Sequence, residues 1–302
     1  MPASTSSQFS AVANTASHAN LAALCVSAPH AVAVTFDAAG PVHRKLPADT
    51  PPLREVRELR LVLDSWRRPV TAGLDRVFTG LEVLHIDCNG LPSDAAIQGL
   101  VALVRANTRT LFQVTLDFIY IMGTDLLTAL ATACDEVEIL VIRRPQPSTV
   151  LALRGGFPCV HTLRLEEGEV TAALIDSVLV ANLENLSHLT IKHCGVSKQA
   201  LPLLCKLSYL RGATIDNCWL ADRNERFQFF SEWGATSNDI NRLSILRCEW
   251  MDTRAVNAFV DGLCTSSRSR QKRDLRLTVT RQPDMTDAWE EETCNRVHLV
   301  LQ

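Results

Sequence analysis

Along this chain, pairs of large apolar residues flank a single polar one. A small residue and a further apolar one follow each pair. In the stretch LSHLTIKHCGV, Leu186, Leu189, Ile191 and Val196 are the apolar positions and Cys194 is the small one. Leu189 and Ile191 alternate around Thr190, which predicts a short strand with one face buried. Leu186 enters the core before that strand. Cys194 turns inward after it, where a small side chain can meet backbone groups in the tight bend. Val196 covers the layer below. The segment that follows, Ser197 to Leu207, places Leu201, Leu204 and Cys205 on one helical face, with Ser197 placed to cap it. Pro202 falls in the first turns, where a helix tolerates it.

The pattern returns. Leu81, Leu84, Ile86, Asn89 and Leu91 match it in full. Val160, Leu163, Leu165 and Val170 match with Gly168 at the small position. Leu210, Ile215, Cys218 and Leu220 match with Ala213 in place of a larger residue, and Ile240, Leu243, Ile245, Cys248 and Trp250 match again. Weaker copies begin at Val56, Leu111 and Val137, and a degenerate one carries Leu275, Leu277 and Val279. Starts at 56, 81, 111, 137, 160, 186, 210 and 240 lie 25, 30, 26, 23, 26, 24 and 30 residues apart. One strand–helix unit cannot bury its own apolar face, but stacked copies cover one another.

Between these strands the apolar spacing predicts helices. One starts at Pro92-Ser93-Asp94 and carries Ile97, Leu100, Val101 and Val104 on one face. Others run from Thr124, from Thr171 to Ala181, from Asn224 to Trp233 and from Asp252 to Cys264. The Pro- and Gly-rich segment 143–158 predicts a turn or one to two helical turns. Residues 1–12 are small and polar and read as disordered; 13–55 read as an N-terminal cap or degenerate repeat; 56–302 form the repeat domain. Within 13–55, Ala31 to Phe36 alternates as a strand. At the other end, Met285 to Thr293 reads as a last short helix and Val297 to Leu301 as a final strand, a minimal or truncated C-terminal cap.

Composition narrows the class. The 302 residues are 47% hydrophobic but only 6% aromatic, which suits layers of Leu, Val and Ile. A net charge of −3 does not make the polycation that nucleic acid would favour, so no nucleic-acid partner is expected. The chain contains ten cysteines. Cys194, Cys218 and Cys248 share one position of the pattern, and Cys134, Cys205 and Cys264 end predicted helices. That placement reads as buried free thiols acting as small apolar residues in a reducing compartment. Neither a basic, apolar secretory leader nor ~20 uninterrupted apolar residues occur, so a cytoplasmic or nuclear protein without a membrane partner is expected.

The stretches LSHLTIKHCGV, LEVLHIDCNGL and INRLSILRCEW resemble the leucine-rich repeat superfamily, in its cysteine-containing, ribonuclease-inhibitor-like branch. The resemblance covers roughly residues 56–250. It implies an α/β leucine-rich repeat solenoid, with a curved parallel sheet on the concave side and helices on the convex side. It also implies protein binding. Family members with an N-terminal F-box act as substrate receptors of ubiquitin ligases. Leu46-Pro47-Ala48-Asp49 echoes the start of an F-box, but a repeat strand follows almost at once. A receptor with a lost or divergent F-box is the alternative reading.

Residues beside the paired leucines should face the open side of such a sheet. The position after each pair gives Asp87, Asp117, Arg143, Glu166, Lys192 and Asp216, with signs alternating from Asp117 onward. The next position gives Phe118, Arg144, Glu167, His193, Asn217 and Arg247, and the middle of the strand gives His85, Arg164, Thr190, Thr214 and Arg276. The expected partner-binding set is Asp117, Phe118, Arg143, Arg144, Arg164, Glu166, Lys192, His193 and Asp216. Two readings are compatible: a self-satisfied charge ladder, each exposed pair worth ~0–1 kcal/mol, or a groove selecting a partner by complementarity.

Other groups also carry two readings. Arg268, Arg270, Lys272 and Arg273 beside serines form a solvated loop or an import or phosphorylation segment. Phe227, Phe229, Phe230, Trp233 and Trp219 pack beneath an enlarged repeat or form an exposed hot spot. His161, His188 and His193 are interspersed with Cys159 and Cys194, but Cys194 should point in and His193 out, so no metal site is expected. No phosphate-binding loop, dinucleotide fingerprint, metalloprotease motif or nucleophile elbow occurs. The chain is expected to be non-enzymatic, without catalytic residues or cofactor.

Overall fold

A computed structural model describes residues 32–37, 50–63, 72–88, 93–118, 124–154, 156–181, 183, 185–207, 210–220, 226–236, 241–265, 275–280 and 297–301. The chain is α/β, and its strands run parallel. It divides into two compact units, Met1–Val137 and Glu138–Gln302.

In the first unit, strands β1 (Ala33–Asp37), β2 (Glu58–Leu63), β3 (Val83–Cys88) and β4 (Gln113–Phe118) pair in chain order. Helices α1 (Leu74–Val77), α2 (Asp94–Ala106) and α3 (Thr124–Ala131) occupy the crossovers. The expected register holds: Leu59 aligns with Leu84 and Val114, and Leu61 with Ile86 and Leu116, all fully buried. Each such side chain contributes roughly 1.5–3 kcal/mol by leaving water. Helix α2 begins as its sequence predicts, with the Ser93 hydroxyl accepting the Ala96 N–H at 3.3 Å.

Its end holds a feature the apolar spacing did not show. Asn107, the C-terminal cap, is buried. Its Oδ1 accepts the N–H groups of Gly80 and Leu81 at 2.7 and 2.8 Å, and its Nδ2 donates to the carbonyls of Phe78 and Leu103 at 2.9 and 2.8 Å. One amide thus satisfies two donors and two acceptors, tying the end of α2 to the turn before β3.

The second unit repeats the scheme. Strands β5 (Ile139–Arg143), β6 (Thr162–Glu166), β8 (His188–Lys192), β10 (Gly212–Asp216), β12 (Arg242–Leu246), β13 (Leu275–Val279) and β14 (Val297–Leu301) form a parallel sheet in that order. Between them lie α4 (Pro147–Leu151), α5 (Ala172–Ala181), α6 (Ala200–Leu203) with a 3-10 turn at Leu204–Lys206, α7 (Arg226–Thr236) and α8 (Thr253–Thr265). Ser197 caps no helix with its side chain. The predicted helix 197–207 shortens to α6, which holds Pro202 in its first turn, and the 3-10 turn. The side chains of Thr171 and Asp252 do cap, accepting the N–H groups of Leu174 at 3.2 Å and Ala255 at 2.9 Å.

A register correction falls on β13. Leu277 and Val279, not Leu275 and Leu277, align with Leu243 and Ile245. Thr278 therefore holds the mid-strand position, and Arg276 lies opposite Arg242, two residues earlier. Leu275 is also buried, so the extra apolar residue disguised the register.

Helices α7 and α8 meet at a pair of glycines. A Cβ on Gly234 would lie 1.9 Å from the Phe259 carbonyl oxygen, and one on Gly262 would lie 1.9 Å from that of Ser231. The backbones are in direct contact there. Around them Trp233 meets Phe259 edge to face at 5.1 Å, and Phe230 stacks on Trp250 at 5.7 Å. Phe230, Trp233, Trp250 and Phe259 are buried, which is the packing reading of the aromatic group. Trp219 is the exception at 55% exposed. The side chains of Phe227 and Phe229 lie outside the described residues, as do residues 1–31, the basic stretch 266–273 and the segment 285–293. Among the described residues no helix is long and apolar enough to cross a membrane.

Candidate functional site

The open side of the second unit's sheet carries the charged row that the alternation predicts. Arg143, Glu166, Lys192 and Asp216 are partners in register across β5, β6, β8 and β10. Arg143 Nε lies 3.2 Å from Glu166 Oε2, closing the first pair. The second pair does not form as a simple ladder would have it. Asp216 turns to Arg247, whose Nε donates to Oδ1 at 2.8 Å while Nη2 donates to Oδ2. The Asp216 carboxylate holds the Arg247 guanidinium above its ordinary pKa, through these hydrogen bonds first and its charge second. No ion pair of Lys192 occurs among the described residues. In the mid-strand row, Arg164 stands between Val141 and Thr190, and Thr214, Ser244 and Thr278 follow.

The row is less open than its sequence suggested. Asp216 is only 8% exposed and Asp117 only 6%. Arg143, Arg144, Arg164, Glu166 and Lys192 are half-buried, and His193 is exposed. Asp117 belongs to the first unit, in register with Asp87, which Arg60 grips through Nε at 2.6 Å. Phe118 ends β4, but its side chain lies outside the described residues. Buried carboxylates need partners, so Asp87 and Asp216 lie covered beneath arginines instead of lining a groove floor.

The residues after the strands do not continue them. Arg144, Glu167, His193, Asn217 and Arg247 all have positive φ, between 50° and 59°. Their N–H groups reach across to the neighbouring segment: Arg144 to Glu166 O, Glu167 to Lys192 O, His193 to Asp216 O and Asn217 to Leu246 O, at 2.7–3.1 Å, with Arg247 donating to Thr280 Oγ1 at 2.8 Å. The left-handed turn costs a non-glycine residue about 1–2 kcal/mol, and the regained hydrogen bond offsets part of that. It also lifts these side chains into a rim along the C-terminal edge of the sheet. There the His193 ring nitrogen Nδ1 lies 2.8 Å from Asn217 Nδ2.

Behind the rim the chain turns inward at Gly168, Cys194, Cys218 and Cys248. The thiols bond backbone carbonyls: Cys194 to Lys192 at 3.1 Å, Cys218 to Asp216 at 3.3 Å and Cys248 to Leu246 at 3.2 Å. Gly168 has no side chain because a Cβ there would strike Pro145 Cδ at 2.9 Å. Hydrogen bonding to Cys218 and then burial push the Cys194 thiol up; a hydrogen bond from Cys218 pulls Cys248 down. Hydrogen bonding to Cys194 pulls the Cys218 thiol down, but hydrogen bonding to Cys248 and burial push it up by more, leaving it raised at about 11. With Cys194 buried and His193 exposed, the two do not converge, and no group of three metal-ligating side chains occurs among the described residues.

Beyond the first three of these inward turns lies a two-residue strand: β7 (Glu169–Val170), β9 (Gly195–Val196) and β11 (Trp219–Leu220), paired in parallel with β9 in the middle. Such short strands leave no periodicity to read. Compared with known families and with curated proteins, the chain matches no family model and no curated protein.

Proposed function

We propose that the chain is a non-enzymatic leucine-rich repeat solenoid that binds a protein partner on the concave face of its sheet. The observation that carries this reading is the in-register row Arg143, Glu166, Lys192 and Asp216. Both signs stand a strand spacing apart on a rigid parallel sheet, and only part of the charge is paired internally. Such a surface selects partners by complementarity of charge more than by apolar area. Arg164 in the next row and His193 on the rim extend it. The reading includes a reducing compartment, cytoplasmic or nuclear, because Cys88, Cys134, Cys159, Cys194, Cys218 and Cys248 are all free.

A quantitative pull-down from native cell extract tests it. The wild type is compared with a variant carrying Arg143→Glu, Arg164→Glu and Lys192→Glu, after circular dichroism shows equal folding. Partners retained by the wild type and lost by the variant support the concave face. Partners retained equally by both sink the proposal.

A further inference from the structure

The small sheet β7–β9–β11 stops one strand early. Parallel strands alternate which side their backbone groups serve. Gly195 N–H bonds Gly168 O at 3.0 Å and Trp219 N–H bonds Cys194 O at 3.1 Å, so Trp219 serves β9 and the Leu220 N–H and C=O face the other way. The segment that would pair there next is Glu249–Met251. It forms a turn instead, with Met251 N–H bonding Cys248 O at 3.0 Å. The Trp250 indole takes the place of the missing backbone donor, its Nε1 bonding Cys218 O at 2.8 Å. The result is a cleft of about 430 Å³ lined by Asn217, Cys218, Trp219, Leu220, Arg247, Glu249 and Trp250.

The walls are fixed in place. The Trp219 indole rests on Gly195, where a Cβ would come within 2.9 Å of its Nε1, so glycine makes its seat. Trp250 is stacked on Phe230 and is 5% exposed. The charges are unequal. Arg247 is forked onto Asp216 and its charge is neutralised there. Glu249 is exposed and has no ion pair among the described residues. The cleft therefore offers an open aromatic face, a carboxylate with no ion pair among the described residues, and the edge of a strand.

We propose that this cleft binds an extended peptide through a Lys or Arg side chain, which stacks on Trp219 and pairs with Glu249 while the peptide backbone adds alongside Leu220. A cation over an indole face is attracted by the ring quadrupole, and main-chain bonds to a strand edge supply affinity without fixing sequence. An anionic peptide would meet Glu249, and the cation that lines the cleft, Arg247, is already committed to Asp216.

The test uses the full chain and fluorescent short peptides, degenerate at every position except a central Arg, Lys, Glu or Ala, read by anisotropy. Arg- and Lys-centred pools should bind about tenfold tighter than the Glu- and Ala-centred pools, a ratio within reach of one cation–π contact. Trp219→Ala and Glu249→Gln should each remove most of that preference. Gly195→Ala, which unseats the indole without touching either group, should weaken binding in parallel, with thermal melts confirming that each variant folds. No saturable binding by any pool, equal binding of all pools, or a preference untouched by Trp219→Ala would each overturn the proposal. Tighter binding of the Glu-centred pool would overturn it in favour of an anionic ligand on Arg247. Charge reversal at Arg164 and Lys192 should leave this peptide binding unchanged, which separates it from the concave-face reading.

Discussion

Arg247 grips Asp216 with two guanidinium nitrogens, reaching from the turn after β12 to the end of β10. The fork is planar and matches both carboxylate oxygens, a geometry an ammonium cannot reproduce. Arg247→Ala should lower the melting temperature, and Arg247→Lys should restore only part of the loss. The deficit should shrink as salt is added, because the guanidinium side of the pair is solvent-exposed. A loss equal in Lys and Ala variants and unchanged by salt would point to packing, not to the fork.

Asn107 should matter far more to stability than its polarity suggests. Asn107→Ala strands the N–H groups of Gly80 and Leu81 and the carbonyls of Phe78 and Leu103. Leaving several buried groups unsatisfied should cost roughly 3 kcal/mol or more. Asn107→Asp should fare no better, since a carboxylate cannot donate to the two carbonyls. Urea unfolding with an unchanged slope is the measurement; a change under ~1 kcal/mol would show that water replaces the amide.

The glycines between α7 and α8 admit no side chain. Gly234→Ala or Gly262→Ala places a Cβ 1.9 Å from a carbonyl oxygen, so the helices must part. The expected cost is about 2–3 kcal/mol each, with altered near-ultraviolet circular dichroism from Trp233. Raising helix propensity at these positions would by itself stabilise, so a gain in stability would refute the close contact.

Burial pushes the Cys88 and Cys134 thiols up to about 12, with Asp87 and Asp117 adding to the first and Asp135 to the second. Their ordinary value is 9.0. Below pH 9 both states hold the proton and the shift has no effect on stability. Above it the unfolded chain ionises first, so native stability should fall as pH rises from 9 toward 12, by about 1.4 kcal/mol per pH unit for each fully shifted thiol. Unfolding measured at pH 8 and pH 10 checks this. Cys88→Ala should flatten the slope, and a wild-type slope that the substitution leaves unchanged would contradict it.

The parts of the fold legible in the sequence are those where one side chain decides one burial. Leu189 and Ile191 around Thr190 dictate a strand, and the small residues Cys194, Cys218 and Cys248 mark the inward turn that their thiol–carbonyl bonds complete. The row of Arg143, Glu166, Lys192 and Asp216 was legible for the same reason, since alternation fixes the face. What the row did not reveal is the third dimension of each pair. Arg247 sits one position further along the chain, and only the left-handed turn brings its side chain back over Asp216. Nothing in Arg144, Glu167 or Arg247 signals positive φ, because these residue types rarely adopt it. Arg276 slipped by two because Leu275, Leu277 and Val279 all fit an alternating pattern. Asn107 and the glycines of α7 and α8 did leave traces: an Asn just past a helical run, and Gly inside one, mark caps and close contacts.

The run of left-handed residues along the rim also restricts what this edge can become. Val, Ile and Thr crowd their own backbone at φ near 55°, whereas Asn, Asp and Gly sit there at little cost. Anyone randomising the rim to select a new binder would therefore work with a reduced alphabet at 144, 167, 193, 217 and 247. The productive diversity would lie one residue earlier, at 143, 166 and 192, where the backbone is extended and the side chains are half-buried, while Asp216 stays committed to Arg247.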